Sequence, residues 1–372
     1  MIPFIDLAAQ RARIKDKLDA SIAKVIEEGR YILGPEVAEL EARLCAFGEA
    51  PHALACANGT DALALPLMAW ELKPRDAVFV PSFTFASTAE VVPWLGATPI
   101  FVDVDPKTYC MDPDKLADAV DQVVKDGVLN PVAVIAVDLF GQPADYPRIA
   151  EITRHHGMKL IADSAQGFGC TLDGKHPIHW ADVTTISFYP AKPLGCYGDG
   201  GAILTRDDEL QALMKSLHVH GEGTERYEYA RIGMNSRLDT LQAAILLAKM
   251  DVFPDEIEGR NAAADRYAEG FGDIVPPHQV IEGGRSVWAQ YTIEVDDRDG
   301  FRKTLADHGV PTAVYYPIPL HMQGPYARFP QGPGGLPVTE AVADRVVSLP
   351  MDGYLDGERQ QTVIDAVRAA LG

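Results

Sequence analysis

The sequence predicts an α/β protein, with a large domain built on a mainly parallel sheet and a smaller C-terminal α+β domain. Three observations carry this. Short apolar runs alternate with stretches of helical periodicity over most of the chain, the order expected of strand–helix units and a parallel sheet. That alternation breaks near residue 250, which divides the chain into 1–250 and 251–372. A length of 372 residues also exceeds one simple core and suits two packed domains.

The elements follow in order. Ile14, Leu18, Ile22, Val25 and Ile26 recur at helical spacing, and Gly29 follows them where a C-terminal glycine belongs. Pro35 stands at the first turn of a second amphipathic stretch carrying Val37, Leu40, Leu44 and Phe47. Strands are predicted at 78–80, 100–102, 132–137, 160–162 and 185–187, with a further one at 202–204. Helices are predicted at 86–95, 113–124, 145–156 and 207–218. Beyond a long helix at 238–250, the pattern gives a strand at 290–295, a helix at 300–308 and a strand at 312–316. A Pro/Gly-rich loop at 317–337 reads as a functional flap or a flexible insertion, because simple connectors are shorter. Two helical patterns close the chain.

Composition narrows the function. With 47% hydrophobic and 23% charged residues, the chain has the balance of a soluble globular protein. The start, Met1 to Asp6, lacks a basic stretch and an apolar run, and no apolar stretch reaches membrane-spanning length, so the cytoplasm is expected. A net charge of −20 opposes nucleic acid and anionic membrane surfaces. It leaves room for a small phosphorylated ligand held in a local pocket. The five cysteines are scattered, with no CxxC pair, which suggests reduced thiols and neither a disulfide framework nor a metal site.

Four segments carry candidate chemistry. Asn58-Gly59-Thr60-Asp61 precedes a helical pattern, where free N–H groups favour an anion; taken alone, an ordinary helix cap explains it better than a phosphate cup. In Leu160-Ile161-Ala162-Asp163-Ser164-Ala165-Gln166 an acid ends an apolar strand, at the sheet edge that binds ligands in open α/β folds. That acid can keep a ring nitrogen protonated, or can simply cap a helix. Lys192, in Ser187-Phe188-Tyr189-Pro190-Ala191-Lys192-Pro193-Leu194-Gly195, follows a strand among apolar and small residues, where burial lowers an amine's pKa and allows imine formation. The alternative is a solvated surface lysine, and the glycine-dense stretch to Gly201 argues against it. Asn235-Ser236-Arg237-Leu238-Asp239 offers an amide and a guanidinium before a helix, suited to phosphate or carboxylate or to a plain salt bridge. His218 and His220 have no third ligand nearby and read as structural.

Together with Phe4-Ile5-Asp6-Leu7, Gly34-Pro35-Glu36, Pro81-Ser82-Phe83-Thr84-Phe85 and Tyr316-Pro317-Ile318-Pro319-Leu320-His321, these segments resemble the DegT/DnrJ/EryC1 sugar aminotransferases over essentially the whole chain. The resemblance implies a fold-type I transferase dependent on pyridoxal 5'-phosphate. It implies Lys192 as the Schiff-base lysine and proton shuttle, Asp163 at the ring nitrogen, Gln166 near the ring hydroxyl and Phe85 stacked on the ring. Gly59, Thr60, the backbone at Asp61, and Ser187 then hold the phosphate. Asn235 reaches that phosphate from a neighbouring subunit, making a homodimer with shared sites. Arg237, Tyr315 and Tyr316 fall where the nucleotide-sugar substrate and the amino-acid donor are contacted. The branch most similar aminates UDP-2-acetamido-2-deoxy-3-oxo-glucuronate for surface polysaccharide. It often has His-Tyr where this chain has Tyr315-Tyr316, which keeps a neutral 3-oxo or 4-oxo nucleotide sugar open. Dehydratases of the family replace the lysine by histidine, and a non-catalytic regulator would not need the set Asp163, Gln166, Ser187 and Lys192.

Overall fold

The computed structural model describes residues 2–225, 227–272 and 274–372. The chain opens with α1 (Leu7–Glu28) and α2 (Pro35–Gly48). Gly29 closes α1 at φ 69°, its N–H donating to Val25 O, and Pro35 starts α2, as their sequence positions require. Then follow β1 (His52–Cys56), α3 (Gly59–Ala69), β2 (Asp76–Pro81), α4 (Ser87–Trp94), β3 (Thr98–Val102) and α5 (Pro113–Asp126). Next come β4 (Asn130–Val137), α6 (Tyr146–His155), β5 (Lys159–Asp163), β6 (Thr171–Leu172), β7 (Val183–Ser187), β8 (Gly201–Thr205) and α7 (Asp208–Leu217). The remainder comprises α8 (Thr240–Met250), α9 (Phe253–Phe271), β9 (Gly284–Arg285), β10 (Tyr291–Glu294), α10 (Arg298–Asp307), α11 (Pro337–Arg345), β11 (Val346–Leu349) and α12 (Gly357–Leu371).

A seven-stranded sheet in the order β1-β8-β7-β5-β4-β2-β3 forms the centre. From β7 to β3 every pairing is parallel, while β8 runs antiparallel to both β1 and β7. β1 therefore runs the same way as β7, and the C-terminal ends of β1, β7, β5, β4, β2 and β3 gather at one edge. Helices cover both faces, which is why the strands read as continuous apolar runs without alternation. β2 is buried at every residue.

Past α8 the core changes. α9 packs Phe253 and Ile257 against the sheet-side cluster and sends Ala263, Ala264, Tyr267 and Phe271 into a second one. That second cluster is built on the antiparallel pair β10–β11 with α12.

Two expectations need correction. Residues 312–316 form no strand: only Ala313 pairs, exchanging bonds with Ser348 at 2.8 and 3.1 Å, and the chain then turns to lay Tyr316 against Phe83. The 317–337 loop is neither a flap nor a floppy insertion. It buries Leu320, Tyr326 and Leu336, and it pairs with the outer strand β3 through Phe101 N–H to Pro330 O (3.0 Å) and Gly332 N–H to Phe101 O (2.8 Å). It covers a sheet edge that would otherwise present unpaired backbone groups. β1, α9 and β11, and the two-residue strands β6 and β9, were not anticipated from the sequence.

Candidate active site

The strand ends set the site. Asp163 is the last residue of β5 and is 4% exposed. Thr88 Oγ1 donates to its Oδ2 at 3.0 Å and Ala165 N–H to its Oδ1 at 3.2 Å. Burial raises its pKa above the usual carboxylate value, against these bonds and the Lys192 charge. Lys192 sits on the turn after β7, its N–H donating to Tyr189 O at 2.8 Å. Desolvation of this half-buried lysine lowers its pKa, and the facing Asp163 charge opposes the shift. An amine primed towards its neutral, nucleophilic form thus faces a buried carboxylate.

An anion cradle lies beside them, where β1 ends. Asn58 caps α3 with its Oδ1, which accepts the Asp61 N–H at 2.8 Å. The Asp61 N–H is thereby engaged by the cap, while those of Gly59 and Thr60 lie in the first turn and have no intrahelical acceptor. Thr60 Oγ1 lies 2.8 Å from Ser87 Oγ, the first residue of α4, so two helix N-termini converge. Ser187, ending β7, closes the other side: a Cβ on Gly59 would lie 2.7 Å from Ser187 Cβ. Gly201 pairs with both Cys56 and Ser187, and a Cβ there would strike the Asn58 carbonyl oxygen. Glycine at both positions lets the helix terminus close on Ser187.

Aromatic side chains form the wall. Phe85 is 56% exposed, and its ring lies 6.3 Å from that of Tyr316. Gln166 Nε2 donates to Tyr316 Oη at 3.0 Å and its Oε1 accepts Phe140 N–H at 2.8 Å, which leaves one amide hydrogen for a ligand. Burial and the Asp163 charge raise the Tyr316 phenol. Tyr315 lies beside it, its ring 5.9 Å from that of Tyr316 and 6.4 Å from that of Phe4. The structure therefore joins Lys192, Asp163, Gln166, Phe85 and Tyr316 on one side, and Gly59, Thr60 and Ser187 on the other.

Asn235 and Arg237 are not gathered in with them. Asn235 is exposed, Arg237 is half-buried, and among the described residues neither side chain forms a hydrogen bond or ion pair. They flank Ser236, whose Oγ accepts Ala57 N–H at 3.2 Å behind the cradle. His218 is buried, its Nδ1 2.6 Å from Lys215 O, in the structural role expected of it.

Sequence reasoning missed Ser87, Thr88 and Asp138. The first two were visible as hydroxyls at the predicted start of a helix, just past Phe85. Asp138 directly follows β4, one residue beyond the Val137 that pairs with Asp163, and an acid just past an apolar strand was the available signal. It accepts Tyr146 Oη at 2.7 Å, Ala144 N–H at 3.2 Å and the Ser164 hydroxyl, and burial pushes it up to about 7. It holds the turn that presents Gln166.

The donor set fits pyridoxal 5'-phosphate: N–H and hydroxyl donors for a phosphate, a buried carboxylate for a ring nitrogen, a ring face and a desolvated amine. Residues 12–368 match the DegT/DnrJ/EryC1/StrS aminotransferase family. The chain is 47% identical to the UDP-2-acetamido-2-deoxy-3-oxo-D-glucuronate aminotransferase of Pseudomonas aeruginosa over 96% of each chain. It is 38% identical to the UDP-N-acetyl-3-dehydro-alpha-D-glucosamine 3-aminotransferase of Acidithiobacillus ferrooxidans, covering 100% of this chain and 98% of that one. The crystal structure of a DegT DnrJ EryC1 StrS aminotransferase from Brucella abortus superposes with a TM-score of 0.98 at 50% identity, over 100% of both chains. The chain belongs to the DegT/DnrJ/EryC1/StrS family and is a pyridoxal-phosphate-dependent sugar aminotransferase.

Proposed function

We propose that this enzyme aminates UDP-2-acetamido-2-deoxy-3-oxo-glucuronate with glutamate as donor, in the cytoplasm, for surface polysaccharide such as lipopolysaccharide. The observation that carries this reading is the 47% identity, end to end, with the Pseudomonas aeruginosa protein of that name. No described helix is long and apolar enough to cross a membrane.

Pyridoxal 5'-phosphate, when bound, supplies an electron-withdrawing ring and an aldehyde carbon that exchanges amines. Gly59, Thr60, the turn at Asp61 and Ser187 hold its phosphate, completed by Asn235 of a second chain in a homodimer. Asp163 keeps the ring nitrogen protonated, Gln166 holds the ring hydroxyl, and Phe85 fixes the ring plane. Lys192 Nζ takes a proton from the donor's amine-bearing carbon and returns one on the other side of the transfer. Arg237, without an acid partner among the described residues, suits a substrate carboxylate, with Tyr315 and Tyr316 lining the approach. We assign these parts to a large domain at 1–250 and a small one at 251–372, with α9 as the strut between them.

A neutral 3-oxo sugar nucleotide is the second reading, favoured by Tyr315 standing where the uronate branch often has histidine. Assay of UDP-linked 3-oxo-glucuronate and its neutral 3-oxo-glucosamine counterpart, with glutamate, decides between them. We expect the uronate to have the higher kcat/KM. A higher value for the neutral sugar overturns the assignment.

A further inference from the structure

The turn that carries Lys192 is tied to α8 from outside. Phe188 N–H donates to Gly200 O at 2.8 Å and Cys196 N–H to Phe188 O at 2.7 Å, so the loop folds back on itself. It is tightest at Gly195, where a Cβ would lie 2.6 Å from the carbonyl oxygens of both Tyr189 and Pro190. From α8, Gln242 Oε1 accepts Tyr197 N–H at 2.9 Å. Further along the helix, Lys249 Nζ donates to Gly195 O at 2.5 Å and stands 4.3 Å from the centre of the Tyr197 ring.

Lys249 is 1% exposed, on a helix whose other buried residues include Ala243, Ile245, Leu246 and Met250. Packing alone calls for an apolar side chain there, because a buried ammonium pays desolvation that an apolar residue does not. What lysine adds is a charged donor that reaches the carbonyl three residues past Lys192, and a cation against the Tyr197 ring. Burial draws its pKa down to about 8, with Glu256 and Cys196 opposing. Glu256 is itself held by Gln10 at 2.9 and 3.0 Å and by Tyr354, which places its charge near Lys249 without capturing it.

We propose that Lys249 is a positioning residue for transamination, holding the Gly195 carbonyl and the Tyr197 ring so that the turn presents Lys192 opposite Asp163. The proposal rests on Lys192 being the amine that carries the cofactor. Borohydride trapping of pyridoxal 5'-phosphate on the wild-type protein, followed by peptide mapping, checks that point separately.

The test is Lys249→Met, an unbranched apolar side chain that keeps the packing, in the full-length protein. Two quantities are read: kcat and KM for glutamate in the holoenzyme, and the pH profile of Lys192 acetylation in the apoprotein by competitive labelling. The expected result is a folded protein with unchanged KM, a Lys192 profile shifted towards that of an exposed lysine, and kcat lowered by up to ~100-fold, the cost of misplacing a reacting group by about 1 Å. A folded variant with wild-type kcat and a wild-type Lys192 profile overturns the proposal. If Lys249→Met does not fold, Tyr197→Leu, at a partly exposed site, is read the same way. A shifted Lys192 profile supports the proposal, and an unshifted one overturns it.

Discussion

Asp163 and Lys192 owe their unusual states to one cause acting in opposite directions. Burial favours the neutral form of each, raising the acid and lowering the amine, while each charge steadies the other. A ligand whose ring nitrogen takes over as the cation beside Asp163 frees Lys192 to stay neutral, which suits a group that must take up protons. Asp163→Asn keeps the shape and removes the charge. It is expected to leave cofactor binding measurable while lowering kcat by on the order of 10²–10³, the cost of losing one well-placed electrostatic contact. Spectrophotometric cofactor titration alongside kcat checks this, and near-normal turnover hands the ring nitrogen to another acid. Both residues were legible because each sits in a short motif directly after an apolar strand. Thr88 and Asp138 were not, because the bonds of Thr88 to Asp163 and of Asp138 to Ser164 span 75 and 26 residues and leave no local pattern.

Strands and helices were read best where one periodicity ran unbroken. The parallel core, from β2 to β7, came through as apolar runs. β1 did not, since His52-Ala53-Leu54-Ala55-Cys56 has no β-branched or large aromatic residue to mark a strand. α9 was hidden by Gly259 and Gly270 inside a polar sequence. Gly259 is tolerated because the Gly353 backbone packs where its Cβ would stand. β11 follows α11 without a turn and was absorbed into a helical pattern. The missed β1 matters most, because its pairing with β8 brings Gly201 beneath Asn58 and lets α3 reach Ser187. Gly201→Ala is therefore expected to destabilise the protein by about 1–3 kcal/mol, as overpacking does, and to weaken cofactor affinity. Thermal unfolding and a pyridoxal 5'-phosphate titration measure both. Unchanged affinity would show that the cradle does not depend on this close approach.

At the scale of the whole molecule, the α/β class and the family were legible from the order of motifs, whereas assembly was not, since periodicity in one chain carries no sign of a second. Tyr31, Ile32 and Leu33 are exposed, and Ile232, three residues before Asn235, is 91% exposed. If Asn235 completes the partner's cradle, mixing Lys192→Ala with Asn235→Ala chains under conditions of subunit exchange restores activity to pairs with one intact site. With Asn235→Ala impaired alone and exchange demonstrated, a mixture that stays inactive refutes the shared site. The loop sealed against β3 carries a different consequence, one of timing. Phe101 waits for Gln331 and its neighbours, about two-thirds of the chain later, before its edge is closed. At ribosomal speeds of about 5–20 residues per second that interval lasts on the order of ten seconds or more. Throughout it the nascent sheet offers an open strand to any other nascent chain, so slower translation or crowded synthesis should raise the share of protein lost to aggregates before Gln331 emerges.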